Sequence, residues 1–172
     1  MIRKTVLALP LLVLACAPLP PMEIASLPRD SVIGAGDPTR AAIISASTSF
    51  GIGGRILTAP AQTARTLANL EYLAVNTANN PLLDNAPPTL QTQLLAARQE
   101  WRAALGIPPG TPAQQVINDL YATSRALEAG QPGGEGNLAR LQALPALPQT
   151  AAAAASASEA LRSRNSQGQP IR

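Results

Sequence analysis

The chain reads as an all-α protein: a small bundle of four to six short helices, with a Pro-rich N-terminal tether before it and a disordered C-terminal tail after it. Three observations lead there. Ala and Leu supply most of the hydrophobic residues, and aromatics make up only 2% of the chain, a composition that suits helices better than strands. No stretch alternates apolar and polar residues long enough to form a half-buried strand. The 17 prolines divide the chain into short pieces, because proline starts helices well and continues them poorly. A length of 172 residues suits one domain. We divide it into residues 1–15 as an export signal, 16–36 as anchor and tether, 37–148 as helical domain, and 149–172 as Ala-rich helix and flexible tail.

The first fifteen residues have the parts of an export signal. Arg3 and Lys4 form a positive start, Val6 to Leu14 an apolar run broken by Pro10, and Ala15 a small residue at a cleavage point. The run has about half the length that a membrane-spanning helix needs. It ends in Val13-Leu14-Ala15-Cys16, which resembles the lipobox of bacterial lipoproteins, although Val13 stands where that family more often has Leu. The resemblance implies that Cys16 becomes the first mature residue. Its thiol would take a diacylglyceryl group and its new amine a further acyl chain of the palmitate type. Two or more chains give stable anchoring, whereas one gives only marginal attachment. In that family an Asp after the cysteine retains the protein in the inner membrane. Ala17 therefore implies the outer membrane, facing the periplasm.

Residues 17–36 carry prolines at 18, 20, 21 and 28. Extended at roughly 3.1 Å per residue, such a tether could hold the domain up to about 60 Å from a membrane. Alternatively, Met22, Ile24 and Leu27 could lie against the domain.

Asp37-Pro38 opens the first helix as N-cap and first helical residue. Its run is expected to reach Leu57, with no charge between Arg40 and Arg55 and with Ser45, Ser49 and Gly53 as a ridge of small residues for close packing. The glycines of Gly51 to Gly54 lack the third glycine and preceding strand of a nucleotide-binding loop; a hinge or close-packing point suits them better. Pro60 starts a second helix to about Asn79, with Leu67, Leu70, Ala74 and Ala78 on one arc. Glu71 falls inside that arc. A carboxylate on an apolar face needs a partner.

Pro87-Pro88-Thr89 begins a third helix that Gly106 ends as C-cap. Leu90, Leu94, Ala97, Trp101 and Leu105 share its apolar face. Arg98 and Arg102 flank that face, so either is a candidate partner for Glu71 in a structural ion pair. Thr111 to Gln114 read as a capping box for a fourth helix. There Val116, Ile117, Leu120, Tyr121, Ser124 and Leu127 are buried, Asp119 is solvated, and Gly130 ends the helix. A loop over 131–137, a short helix from Leu138 to Leu144 and an elbow at Pro145 to Pro148 follow. Thr150 is expected to cap an Ala-rich helix to about Arg164. With little beyond Leu161 to bury, that helix reads as peripheral or frayed, or as a surface that pairs with a partner. The last seven residues read as disordered.

Charge and missing residue types exclude several function classes. From Ala17 onward there are eleven Arg, no Lys and ten acidic residues, so no basic stripe remains for nucleic acid. Histidine is absent and Cys16 is the only cysteine. That removes His/Cys zinc sites, intramolecular disulfides, and Ser-His-Asp or Cys-His catalysis. No catalytic, cofactor-binding or metal residue emerges, and nothing in the pattern specifies an oligomeric state.

The expectation is a non-enzymatic lipoprotein of interaction or envelope-support type. Its partners would be the membrane, through the lipid anchor at Cys16, and a protein of the envelope. The body resembles small helical lipoproteins of Gram-negative bacteria, a resemblance that supplies no activity or site. The alternative is a small-molecule or lipid binder with a cleft near Tyr72, Trp101 and Tyr121. An enzyme pairing Glu71 with Glu100, as paired acids work in glycosidases, has no spacing to recommend it.

Overall fold

The computed structural model describes residues 23–31, 36–131 and 135–167. The expected export signal, Cys16, Met22, residues 132–134 of the expected loop and the final five residues lie outside them. Six α-helices form among the described residues: α1 (Pro38–Thr48), α2 (Pro60–Asn76), α3 (Thr89–Leu105), α4 (Ala113–Glu128), α5 (Glu135–Gln142) and α6 (Pro148–Gln167). There is no strand among them. The nearest approach to one is a single antiparallel bridge between Phe50 and Ile56.

The first helix starts as its residues dictate. Asp37 Oδ1 accepts from the Arg40 amide at 2.8 Å, and Pro38 opens the helix. It ends nine residues before the expected Leu57, because Gly51 to Gly54 form a tight turn instead. The Gly51 amide donates to Arg55 O at 2.7 Å and the Leu57 amide to Ser49 O at 3.0 Å. Gly53 and Gly54 take φ of 68° and 81°, which other residues adopt only at a cost. The ridge therefore holds Ser45 and Ser49 but not Gly53. Both serine hydroxyls meet Thr66 Oγ1 of α2, at 3.4 and 2.8 Å. Gly54 confirms the close-packing expectation: a Cβ there would sit 2.3 Å from the Leu147 carbonyl carbon. Its own carbonyl accepts from the Leu147 amide at 2.9 Å.

Helix α2 is central. Eleven of its 17 residues are buried, and it packs against α1, α3, α4 and α5. The Thr77 hydroxyl donates to Leu73 O at 2.6 Å, and the chain tightens into a 3₁₀ turn over Thr77–Asn79. Ala78 is consequently exposed, and the apolar arc ends at Ala74. Helix α3 ends as its glycine predicts. Gly106 has φ 68°, and the amides of Gly106 and Ile107 donate back to Ala103 O and Arg102 O, a Schellman-type close.

Three expectations are corrected at the C-terminal side. Helix α5 occupies Glu135–Gln142, about one turn earlier than Leu138 to Leu144. Helix α6 reaches Gln167, past the expected end at Arg164. It is neither peripheral nor frayed, for it packs against α1 and α3 and buries Ala153, Ala154, Ala157, Ala160 and Leu161. Alanine contributes little apolar area, but it lets helices approach closely. Small side chains thus make α6 part of the core.

The described part of the expected tether takes the second of the two courses offered for it. Residues 23–31 lie as a strap on the bundle. Ala25 is buried, and its carbonyl accepts from Asn76 Nδ2 of α2 at 2.9 Å. The Ser26 amide donates to Gln114 Oε1 of α4 at 2.8 Å, and Asp30 pairs with Arg125 at 3.0 Å. Leu27 packs partly buried on the core, while Ile24 stays exposed.

The Gly51 to Gly54 turn yields a paired test. Gly53→Ala should cost about 1–2 kcal/mol for the left-handed backbone, since open space surrounds that position. Gly54→Ala should cost about 1–3 kcal/mol more for overpacking against Leu147. Urea unfolding of the two variants checks the order, and equal losses would contradict the close-packing role.

Candidate functional site

The bundle interior is organised around Glu71. The side chain is fully buried between α2 and α3. Oε1 accepts from Arg98 Nε at 2.7 Å and also from Arg102 Nη2. Oε2 accepts from Trp101 Nε1 at 3.1 Å and from Arg102 Nε at 3.2 Å. The α3 sequence makes this possible: residues 98, 101 and 102 fall within about one helical turn and share a face. The structure thus brings together all three residues of the expected ion pair, with both arginines as partners and the Trp101 indole completing the shell.

Each arginine carries the network outward. Arg102 Nη1 donates to Pro109 O at 3.0 Å and Thr111 O at 2.9 Å, which holds the segment between α3 and α4. Arg98 Nη2 reaches Glu23 Oε2 at 2.7 Å in the strap. The other Glu23 oxygen accepts from the Ala113 amide, the first residue of α4. Burial pushes the Glu23 carboxyl up, but the Ala113 amide and the Arg98 guanidinium outweigh it and hold the carboxyl below the ordinary glutamate value.

These contacts replace the expected capping box. No side chain of the Thr111 to Gln114 segment caps α4. Thr111 O is taken by Arg102, and Gln114 bonds Ser26 and Asn118. A carboxylate is a stronger acceptor than a hydroxyl, and here it comes from 90 residues away. Glu100 does the same for α6. It accepts from the amides of Gln149 and Thr150, at 3.2 and 2.7 Å, and from the Thr150 hydroxyl at 2.6 Å. Thr150 is therefore not the cap but a buried residue of the first turn. Glu71 and Glu100 have separate partners, and each is occupied by a helix-positioning role.

The aromatic residues do not form the expected cleft. Trp101 and Tyr121 are buried in the core. The Tyr121 hydroxyl donates to Asn69 Oδ1 at 2.7 Å, and burial pushes that phenol up to about 12. Tyr72 is partly buried, with its hydroxyl 3.0 Å from Thr39 Oγ1. An open groove of about 650 Å³ lies elsewhere, between the 105–111 segment, α4 and α5. Leu105, Val116, Leu120 and Leu141 form its apolar part, and Asp119 and Arg140 its charged part. Asn137 Nδ2 donates to Thr123 Oγ1 at 3.0 Å and ties α5 to α4 within the groove. Its volume lies in the range of small-molecule sites. Arg102 shapes the groove indirectly, through its bonds to the 109–111 backbone.

Sequence reasoning placed Asp119 in solvent, where it is, but missed the groove. The α5 residues carry no local signal of which helix they meet. It also missed Glu23 and Glu100 as caps. Cys16 lies outside the described residues. Among the described residues no group of three or more potential metal ligands comes together, and no helix is long and apolar enough to cross a membrane.

Removing the charge of Glu71 should be costly. Glu71→Gln leaves buried guanidinium groups without their counter-charge, and a loss of about 3–5 kcal/mol is expected. Arg98→Met should cost less, because Arg102 and Trp101 still satisfy the carboxylate. Chemical denaturation monitored by Trp101 fluorescence measures both, and a near-neutral Glu71→Gln would refute this central role. No protein-family model, curated protein or solved structure matches the chain.

Proposed function

We propose that the chain is an acylated lipoprotein of a Gram-negative envelope, anchored through Cys16 in the outer membrane and facing the periplasm. Its helical domain would serve interaction or envelope support rather than catalysis. The observation that carries the reading is the VLAC ending at Val13 to Cys16, after a positive start and a short apolar run. Two features of the fold support a non-catalytic role. The oxygens of Glu71 are held by Arg98, Trp101 and Arg102, and those of Glu100 by the first turn of α6. A carboxylate committed to helix positioning is a poor general acid or base, since proton transfer needs a group within reach of a substrate.

The groove beside α4 favours a second reading, a small-molecule or lipid-binding lipoprotein. Leucine and valine in its apolar part would hold an apolar ligand body, and Asp119 and Arg140 would orient a polar end.

Metabolic acyl labelling with membrane fractionation tests the anchor. The wild-type chain should take label and sediment with membranes, and Cys16→Ser should lose both together. A variant that stays membrane-bound, or a wild-type chain that takes no label, would overturn the anchor. For the groove, mass spectrometry of natively extracted protein should find a co-purified amphiphile that Leu120→Asp reduces several-fold. An empty wild-type protein counts against the second reading alone.

A further inference from the structure

The strap changes where an N-terminal anchor would hold the domain. Its described part begins at Glu23, which is fixed to Arg98 of α3 and to the first amide of α4. From Cys16 to Glu23 there are seven residue steps, and no conformation of seven steps spans more than about 25 Å. The chain therefore approaches the bundle at one defined end, the end where α4 begins and α2 finishes.

That end has an apolar, uncharged edge. Ile24 follows Glu23 and is 74% exposed, and Leu95 lies one turn before Arg98 on α3 and is 41% exposed. The segment leading into α4, Ile107 to Pro112, contains three prolines and no charge, and Pro108, Pro109, Gly110 and Pro112 are exposed. Of the charges beside it, Glu23 and Arg98 neutralise one another, and Asp119 and Arg140 stand on its groove side. Of the other exposed apolar residues, Ile52 and Leu57 sit in the turn before α2 begins and Ile44 lies on α1. The strap meets α2 at its last residue, Asn76. The two ends are thus separated by the 17 residues of α2, about 25 Å at 1.5 Å per residue.

We infer that the edge formed by Ile24, Leu95 and the Pro108 to Pro112 segment rests on the lipid surface, with the Ile52 turn directed away from it. The inference builds on the proposed anchor at Cys16. Scattered exposed apolar residues are ordinary on a protein surface; these share the place where the anchoring segment joins the domain. Apolar groups at a headgroup boundary gain from partial burial, and a short link keeps them within reach. The Ile52 turn would then be presented to the periplasm.

A depth measurement decides between this orientation and a freely turning domain. Acylation consumes the Cys16 thiol, so one introduced cysteine is the only reactive thiol. Ile24→Cys, Leu95→Cys, Pro109→Cys and Ile52→Cys would each carry an environment-sensitive fluorophore. Every protein would first be checked for acyl mass, then reconstituted in vesicles of phosphatidylethanolamine and phosphatidylglycerol with a nitroxide on the headgroups. Quenching at positions 24, 95 and 109 should exceed that at 52 several-fold. Equal quenching at all four, or stronger quenching at 52, in acylated protein would overturn the orientation while leaving the anchor intact. Absence of acyl mass would overturn the anchor, and the orientation with it.

Discussion

A carboxylate taken from water into a helical core must recover its hydration from the protein, and Glu71 does so from α3 alone. Two guanidinium groups and one indole N–H surround its two oxygens. Such a cluster need not be more stabilising than well-packed apolar residues would be, but breaking it is expensive. Its consequence is positional. Arg102 spends its remaining donors on the 109–111 backbone and Arg98 on the strap. The register of α2 on α3, the path into α4 and the docking of residues 23–31 therefore share one origin.

The rest of the core has little else to set its register. The chain has one Trp, two Tyr and one Phe, and its helix faces are largely alanine and leucine. Alanine faces allow close approach but resist sliding weakly, because they interdigitate little. Polar clamps supply what shape does not. Glu100 holds the start of α6, Ser45 and Ser49 meet Thr66 between α1 and α2, and Asn69 accepts from Tyr121 between α2 and α4. Arg65 and Glu128 add an outer pair at 2.9 Å. The groove beside α4 and the apolar edge near Glu23 keep definite shapes because these clamps hold the helices that form them.

Much of the central cluster was legible in the residues. An acidic residue at an apolar position announces a need for a partner, and two arginines spaced four apart on the next helix announce a supply. The caps were not legible. Thr111 to Gln114 has the pattern of a capping box, yet Glu23 satisfies the Ala113 amide and Ser26 engages Gln114. Glu100 likewise displaces Thr150 as the cap of α6. A distant carboxylate that wins against a nearby hydroxyl leaves no trace in local spacing, since the competition is decided only after the helices have packed.

The sequence by itself determined that the chain is helical and where most helices begin and end. Those signals are proline at first turns, Asp37 as a cap, Gly106 as a stop and apolar spacing near 3.6, and all act within about four residues. It also determined what chemistry is missing, since an absent histidine cannot be restored by folding. Tertiary structure decided that α6 joins the core, that the strap docks, that the aromatic residues close rather than open a cleft, and that the groove lies beside α4. The first two depend on pairing residues 50 to 90 positions apart, and the closing of the aromatic side chains and the groove on contacts between separate helices. They rest on charge-assisted hydrogen bonds and close helix packing, which no single segment carries alone.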